Sequence, residues 1–384
     1  MRAMTYRGPY RVRVVDKPVP LIEHPRDAIV RVTRACICGS DLHLYHGLVP
    51  DTRVGQTFGH EFVGIVEEVG DAVRKLWPGD RVLVPFNIAC GECYFCRKGL
   101  YANCHNANPN ATAMGGAFGY SHSTGGYDGG QAEYVRVPYA DVGPMKIPSS
   151  IDDDNAAMCT DVFPTGYQAA EMAQIKRGDS VVVFGAGPVG LFAARCAWFM
   201  GAGRVLVVDE YDDRLEFARR FAQCETLNFR DVGDVVWVLK RESDWLGWDA
   251  AIDAVGCEAR GGTMQRLLGV HLKMLAGSAT ALLWAIDAVR KGGVVSIVGV
   301  YGPTPNAVPI GAAMNKGLTL RMNQASVKRN LPRCIEHIEA GHIEPKQVIT
   351  HRIALEDIGD GYHLFSSKLD GCIKPIVYPR GATA

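Results

Sequence analysis

The sequence predicts an α/β protein of two domains, one an irregular β domain and the other a doubly wound parallel sheet. Three observations carry this. The chain has 384 residues, too many for one ordinary core and well suited to two. Its N-terminal part, to about residue 150, reads as short strands separated by Gly and Pro turns. From about Asp152 onward, strands and helices alternate.

In the first region the strands are Ala28–Arg34, Phe62–Val69, Asp80–Pro85 and Gln131–Pro138, each rich in β-branched residues and bounded by Gly, Pro or Asp. Trp77-Pro78-Gly79-Asp80 is a turn leading into the third of these. In the second region Ser180–Phe184 reads as a buried strand, Val189–Met200 as an Ala-rich helix, Val205–Asp209 as a strand and Arg214–Gln223 as a helix. Ala250–Asp253 and Val294–Val300 continue the strand series, with a helix over Ala279–Arg290 between them. Runs of Val and Ile without polar alternation fit strands covered on both faces, which implies a parallel sheet. The last part, including Pro332–Glu339 and Cys372–Tyr378, returns to shorter mixed elements that complete the first domain. The expected boundaries are 1–155 with 325–384 for the β domain and 156–324 for the α/β domain.

Composition narrows the function. Hydrophobic residues make up 47% and charged residues 21%, and 41 basic side chains balance 41 acidic ones. That balance suits a globular enzyme and gives no basic face for nucleic acid and no acidic tail. Met1–Tyr10 lacks an apolar leader, and no run of about 18 apolar residues is available to span a bilayer. The expectation is a cytoplasmic protein with neither a membrane nor a nucleic-acid partner. Twelve cysteines without a secretion signal argue for metal binding rather than disulfides. Cys36, Cys196, Cys224, Cys257, Cys334 and Cys372 are scattered and read as small buried apolar residues.

Val181–Phe184 runs into Gly185-Ala186-Gly187-Pro188-Val189-Gly190, a G-x-G-x-x-G pattern with a strand before it and a helix after it. Gly185 permits the tight turn, Gly187 lets the backbone approach a pyrophosphate, and Gly190 lets helix and strand pack closely. The helix N-terminus offers unpaired N–H groups to phosphate. Asp209, at the end of the next strand, suits ribose hydroxyls and repels a 2′-phosphate, which favours NAD over NADP. Pro188, Val189 and Arg214, the last at the start of the second helix, are placed in the same cofactor group. A Gly-rich structural turn is the alternative.

Cys90-x2-Cys93-x2-Cys96-x7-Cys104 puts four thiols in one loop, enough to close a tetrahedral shell around a structural zinc. An iron–sulfur loop or unliganded thiols are the alternatives. A second group is more dispersed. Cys38-Gly39-Ser40-Asp41-Leu42-His43 and Gly59-His60-Glu61 supply two ligands of the mixed S and N type that a catalytic zinc takes, Cys38 and His60. Asp161, between the two domains, is the candidate third. Taken singly, Cys38 could be a core thiol, His60 a core histidine and Glu61 a surface charge; their occurrence beside a dinucleotide loop is what favours a site.

With these residues in view, the chain resembles the zinc-dependent medium-chain alcohol dehydrogenase family over nearly its whole length. The matching stretches are Cys38–His43, Gly59–Gly64, the Cys90–Cys104 loop, Gly126–Pro138 and Gly185–Gly190. Within the family it looks most like the glutathione-independent formaldehyde dehydrogenase branch, on Pro85–Cys90, Gly126–Tyr139, Asp161–Tyr167 and Asp253–Gly261. The resemblance implies a GroES-like catalytic domain and a Rossmann cofactor domain, two zincs per chain, and NAD. It implies that Cys38, His60 and Asp161 bind the catalytic zinc, Asp161 standing four residues before Thr165-Gly166 where many relatives have cysteine. Glu61 would lie just behind the metal or at times ligate it. Ser40 would contact the substrate oxygen, His43 would pass its proton outward, and Phe86 would line the substrate pocket. Lys374 would replace a family arginine near the pyrophosphate, and Gly39 stands where some relatives carry a basic residue for it. The implied reaction is reversible hydride transfer between an alcohol, or an aldehyde hydrate, and NAD. A related dehydrogenase of a polyol, an amino alcohol or a bulky secondary alcohol is the alternative, and a non-catalytic NAD- and zinc-binding protein a remote one. The resemblance also implies a homo-oligomer, a dimer or a tetramer with the tetramer expected, and Leu318–Asn323 as an edge strand able to join two subunits.

Overall fold

The computed structural model describes residues 1–256, 279–301 and 308–380. It divides into two compact units, Met1–Pro164 with Gln324–Ala384, and Thr165–Asn323.

The first unit is built on a seven-stranded sheet in the order Ile349–Ala354, Lys374–Tyr378, Ala28–Cys36, Phe62–Val69, Arg81–Val84, Met145–Lys146, with Tyr134–Val137 also paired to Ala28–Cys36. All its pairings are antiparallel except that between Ile349–Ala354 and Lys374–Tyr378. Register shifts interrupt the pairing of Ala28–Cys36 with Phe62–Val69, bending this central ladder. Arg2–Tyr6 and Val12–Asp16 form a separate antiparallel hairpin that the sequence reading passed over. A core of Met4, Val30, Val32, Leu44, Phe58, Phe62, Val82, Phe118 and Tyr362 draws together residues from both ends of the chain.

The second unit is a six-stranded sheet in the order Glu225–Asn228, Arg204–Asp209, Ser180–Phe184, Trp248–Asp253, Val289–Ile297, Thr319–Met322. Every pairing is parallel. Numbered along the chain the order is 3-2-1-4-5-6, that of the Rossmann dinucleotide fold. The central strands are buried because Val181–Phe184 and Val205–Val208 carry no polar residue on either face.

Some elements differ in extent from the sequence reading. The helix expected over Ala279–Arg290 covers Thr280–Ala288, and the strand expected at Val294–Val300 covers Val289–Ile297. The final long helix does not begin at Pro332 but spans Val327–Glu339, with Pro332 inside it. Proline usually marks a first turn, where its missing N–H costs nothing. Here the helix keeps its course across that missing donor, with Val327, Leu331, Cys334 and Ile335 on its buried side. Of the scattered cysteines, Cys36, Cys196, Cys224, Cys334 and Cys372 are buried; Cys257 lies outside the described residues, as does most of Asp253–Gly261. No helix among the described residues is long and apolar enough to cross a membrane.

Among the described residues of the second unit, the tightest approach is at the glycine turn. Gly185 has φ +99°, a left-handed conformation. A Cβ on Gly190 would stand 1.9 Å from the Gly185 carbonyl oxygen. Gly190→Ala must therefore push the helix off the strand. It should cost about 1–3 kcal/mol, the usual range for overpacking, and lower the midpoint in thermal denaturation by several degrees. An unchanged midpoint would contradict this packing.

Candidate active site

Cys38 ends the strand Ala28–Cys36 two residues on and caps the helix Gly39–Tyr45. The first turn of that helix closes on itself, with Cys38 N–H donating to Asp41 Oδ2 at 2.9 Å. His60 and Glu61 precede the neighbouring strand Phe62–Val69. Asp161 sits between the helices Asp153–Met158 and Val162–Met172. The Phe86 N–H donates to the carbonyl of Thr160 at 3.1 Å, which ties this segment to the strand edge beside the site.

These elements bring Cys38, His60 and Asp161 together, each buried, with one ligand atom from each inside a 4.8 Å cluster. Asp161 Oδ2 lies 3.3 Å from His60 Nε2 and 3.7 Å from Cys38 Sγ. Bonds of about 2.0–2.3 Å to a tetrahedral zinc imply ligand–ligand edges of about 3.3–3.8 Å, so these spacings fit such an ion. Cys159, two residues away, is buried outside the group. Ser40 Oγ is 3.9 Å from Cys38 Sγ, and His43 lies one turn further along the same helix. The ring of Phe86 meets that of His60 edge-on at 5.8 Å. Phe86 packs with Ala117, Ala325 and Val327, against which Met114 and Tyr120 also rest.

The electrostatics of the group are unusual for an interior. Burial pulls the His60 imidazole towards neutrality, but Asp41, Asp161 and Cys38 outweigh it and hold its pKa well above the ordinary value. Burial and the Glu61 carboxylate push the Cys38 thiol up. His60 Nδ1 lies 3.3 Å from Asp41 Oδ1, off the line a hydrogen bond needs, and both atoms are buried without a bonded partner. A metal on Nε2 would give this pair its purpose, because a ligating histidine carries its proton on the other nitrogen and donates it to a carboxylate. Asp41 is thus a member of this buried group that sequence reasoning missed, although it stands inside the motif that was singled out.

Glu61 and Lys374 form an ion pair in which both side chains are fully buried. Burial acts to discharge Lys374, and the Glu61 carboxylate more than offsets this, holding the ammonium charged. Expected near a pyrophosphate, Lys374 is instead committed to Glu61, with no exposed surface to offer a phosphate.

The four cysteines also converge. Cys90, Cys93, Cys96 and Cys104 place their sulfurs in one cluster. Cys90 and Cys96 are 3.9 Å apart and Cys93 and Cys104 4.0 Å, close to the edge of about 3.8 Å expected for four thiolates on zinc. Backbone N–H groups of Glu92 and Cys93 donate to Cys90 Sγ, as they would to a thiolate. These are the two groups of three or more metal-ligating side chains among the described residues.

In the second unit the helix Pro188–Phe199 starts at Gly187 with no side-chain cap, leaving its first N–H groups for an anion. Space beside Gly187 is open except for the Arg214 guanidinium, 3.9 Å from where a Cβ would stand. Asp209 accepts from the backbone N–H of Ala186 at 2.6 Å, and of Glu210 and Tyr211 at 2.7 and 3.2 Å. It therefore braces the glycine turn and keeps limited acceptor capacity beyond that, since a carboxylate offers about four lone-pair sites.

Comparison with known proteins agrees with this geometry. Residues 24–149 match the alcohol dehydrogenase GroES-like domain. The chain is 45% identical over 99% of its length to an uncharacterized zinc-type alcohol dehydrogenase-like protein, AdhB, of Bacillus subtilis, all of which is covered. It is 36% identical over 83% of its length to the glutathione-independent formaldehyde dehydrogenase of Pseudomonas aeruginosa, 80% of which is covered. Among solved structures, the alcohol dehydrogenase TADH of Thermus sp. ATN1 superposes with a TM-score of 0.84 at 35% identity, covering 98% of this chain and 99% of that one.

The buried pair gives a prediction. Lys374→Met strands the Glu61 carboxylate and should cost about 3–5 kcal/mol in urea unfolding. Combining it with Glu61→Gln should recover most of that loss. A single variant as stable as the parent would show that the two charges are not coupled.

Proposed function

The chain belongs to the zinc-type alcohol dehydrogenase family of medium-chain dehydrogenases, and from that premise we propose that it transfers a hydride between an alcohol, or an aldehyde hydrate, and NAD. The observation that carries this is the convergence of Cys38, His60 and Asp161 at tetrahedral-edge spacing in a buried pocket of charge.

Cys38, His60 and Asp161 would hold the catalytic zinc, and Cys90, Cys93, Cys96 and Cys104 a structural one. When bound, the zinc supplies Lewis acidity to the substrate hydroxyl and the dinucleotide supplies the hydride acceptor. The remaining work falls to the chain. Ser40 takes the proton that the alcohol O–H gives up, and His43, one turn on, passes it towards solvent. The C–H bond of the carbinol carbon breaks as its electron pair leaves with the hydride, and a carbonyl forms. Asp41 Oδ1 faces His60 Nδ1 and would accept its proton in a hydrogen bond when Nε2 ligates the metal, and Glu61 with Lys374 forms a buried ion pair nearby.

The glycine turn Gly185–Gly190 and the open helix start at Gly187 suit a pyrophosphate, with Arg214 beside them. Asp209 at the strand end disfavours a 2′-phosphate, so NAD is the proposed partner. Phe86, edge-on to His60, belongs to an apolar cluster with Ala117, Ala325 and Val327, and an apolar surround of this kind favours alcohols carrying a hydrocarbon group over polyols. The edge strand Thr319–Met322, with Ile310, Met314 and Met322 exposed around it, suits pairing with a second copy. The proposed assembly is a homo-oligomer.

Asp161→Ala should reduce the zinc content from two to one per chain by metal analysis. It should also lower NADH formation, followed at 340 nm with a panel of alcohols and formaldehyde, on the order of 100-fold or more. Two zincs and undiminished turnover in that variant would refute the proposed ligand set. Wild-type protein should bind NAD more tightly than NADP in titrations, and Asp209→Ser should narrow the difference; equal affinities in the wild type would remove Asp209 from this role.

A further inference from the structure

Behind Asp41 the hydrogen bonding does not stop. Gln131, just after Gly129-Gly130, donates from Nε2 to Asp41 Oδ2 at 3.3 Å and to the Cys36 carbonyl at 2.9 Å. Its Oε1 accepts from the hydroxyl of Tyr362 at 2.8 Å, on the helix Ile358–Ser367 near the C-terminus. Asp41, Gln131 and Tyr362 are each 0% exposed.

The direction of every bond in this chain is fixed by chemistry. A backbone carbonyl and a carboxylate can only accept, so Gln131 must turn its NH2 to Cys36 and Asp41 and its oxygen to Tyr362. Tyr362 must then be the donor. With Oδ2 held by Gln131 and by the Cys38 N–H, Asp41 is left with Oδ1 facing His60 Nδ1. The position of each group is also fixed by packing. The Tyr362 ring lies 5.0 Å from that of Tyr45 and 6.5 Å from that of Phe58. Gln131 presses on Gly59, where a Cβ would come within 2.5 Å of its Cγ.

We propose that Tyr362 and Gln131 are positioning residues that fix the Asp41 carboxylate, through it the tautomer and orientation of His60, and so how firmly the Cys38–His60–Asp161 site holds zinc. This rests on the reading of that site as a zinc site. The physical ground is that a ligating histidine is held in place by the group bonded to its second nitrogen, and loss of such a partner typically weakens metal binding about 10–100-fold. Tyr362 stands two steps further back, so its effect should be smaller, ~3–10-fold.

The test uses the zinc-loaded holoprotein and Tyr362→Phe, which keeps the ring and removes the donor. Zinc transfer to a chromophoric chelator is followed in time, and Asp161→Ala identifies the phase that belongs to the catalytic site. The expected result is a ~3–10-fold faster release from that site, with the Cys90–Cys104 phase unchanged, and a shifted ligand-field band when cobalt replaces the catalytic zinc. Gln131→Met should show a larger effect in the same direction. Equal release rates and identical cobalt spectra in Tyr362→Phe and wild type would overturn the proposal. So would acceleration of both phases together, which marks general loosening of the unit. A wild-type protein with a Cys90–Cys104 phase and no second one would instead overturn the catalytic-zinc reading, and this inference with it.

Discussion

The arrangement of the first unit turns on a concentration of buried negative charge that one lysine cannot balance. Asp41, Glu61 and Asp161 bring three carboxylates into one buried region, and Cys38 adds a fourth anion whenever it ionises. Lys374 neutralises Glu61 and leaves the remainder. Buried ions without partners cost several kcal/mol each, so a cation that completes a cluster of this kind offsets a large cost. A divalent zinc held by Cys38, His60 and Asp161 would set three positive charges, with that of Lys374, against four negative ones, close to balance. Lys374 thus offsets one of these charges by pairing with Glu61 rather than with a proposed ligand. It offers its charge from 0% exposure, where water cannot replace it.

How much of this was legible in the sequence depended on the distance over which the information is written. Gly185, Gly187 and Gly190 sit in one turn, the four cysteines in one loop, and the alternation of strands and helices after Asp152 in local periodicity. Such features can be read directly, because the residues that interact are neighbours in the chain. Asp161 was reached by motif spacing from Thr165-Gly166, and the structure brings it within 3.7 Å of Cys38 across 123 positions. Asp41 was visible yet passed over, since nothing local distinguishes a capping aspartate from one that also faces a histidine. Gln131 and Tyr362 were beyond reach. Their bond spans 231 positions, and each is an ordinary core residue until its partner is known. Lys374 shows the opposite failure. Its charge suggested a phosphate, whereas the pairing of Lys374–Tyr378 with Ala28–Cys36 buries the side chain against Glu61.

The two units meet different demands with different materials. The proposed cofactor site of the Rossmann unit is built mainly of backbone, so its requirements are steric: a left-handed turn at Gly185 and no side chain at Gly190. Asp209 serves there twice, bracing the turn through the Ala186 N–H and presenting its charge at the strand end. In the first unit the requirements are those of side-chain chemistry, and the irregular sheet answers them. Register shifts between Ala28–Cys36 and Phe62–Val69 bend the ladder whose ends carry Cys38 and His60, and the helix cap at Cys38 turns the thiol and Asp41 to the same place.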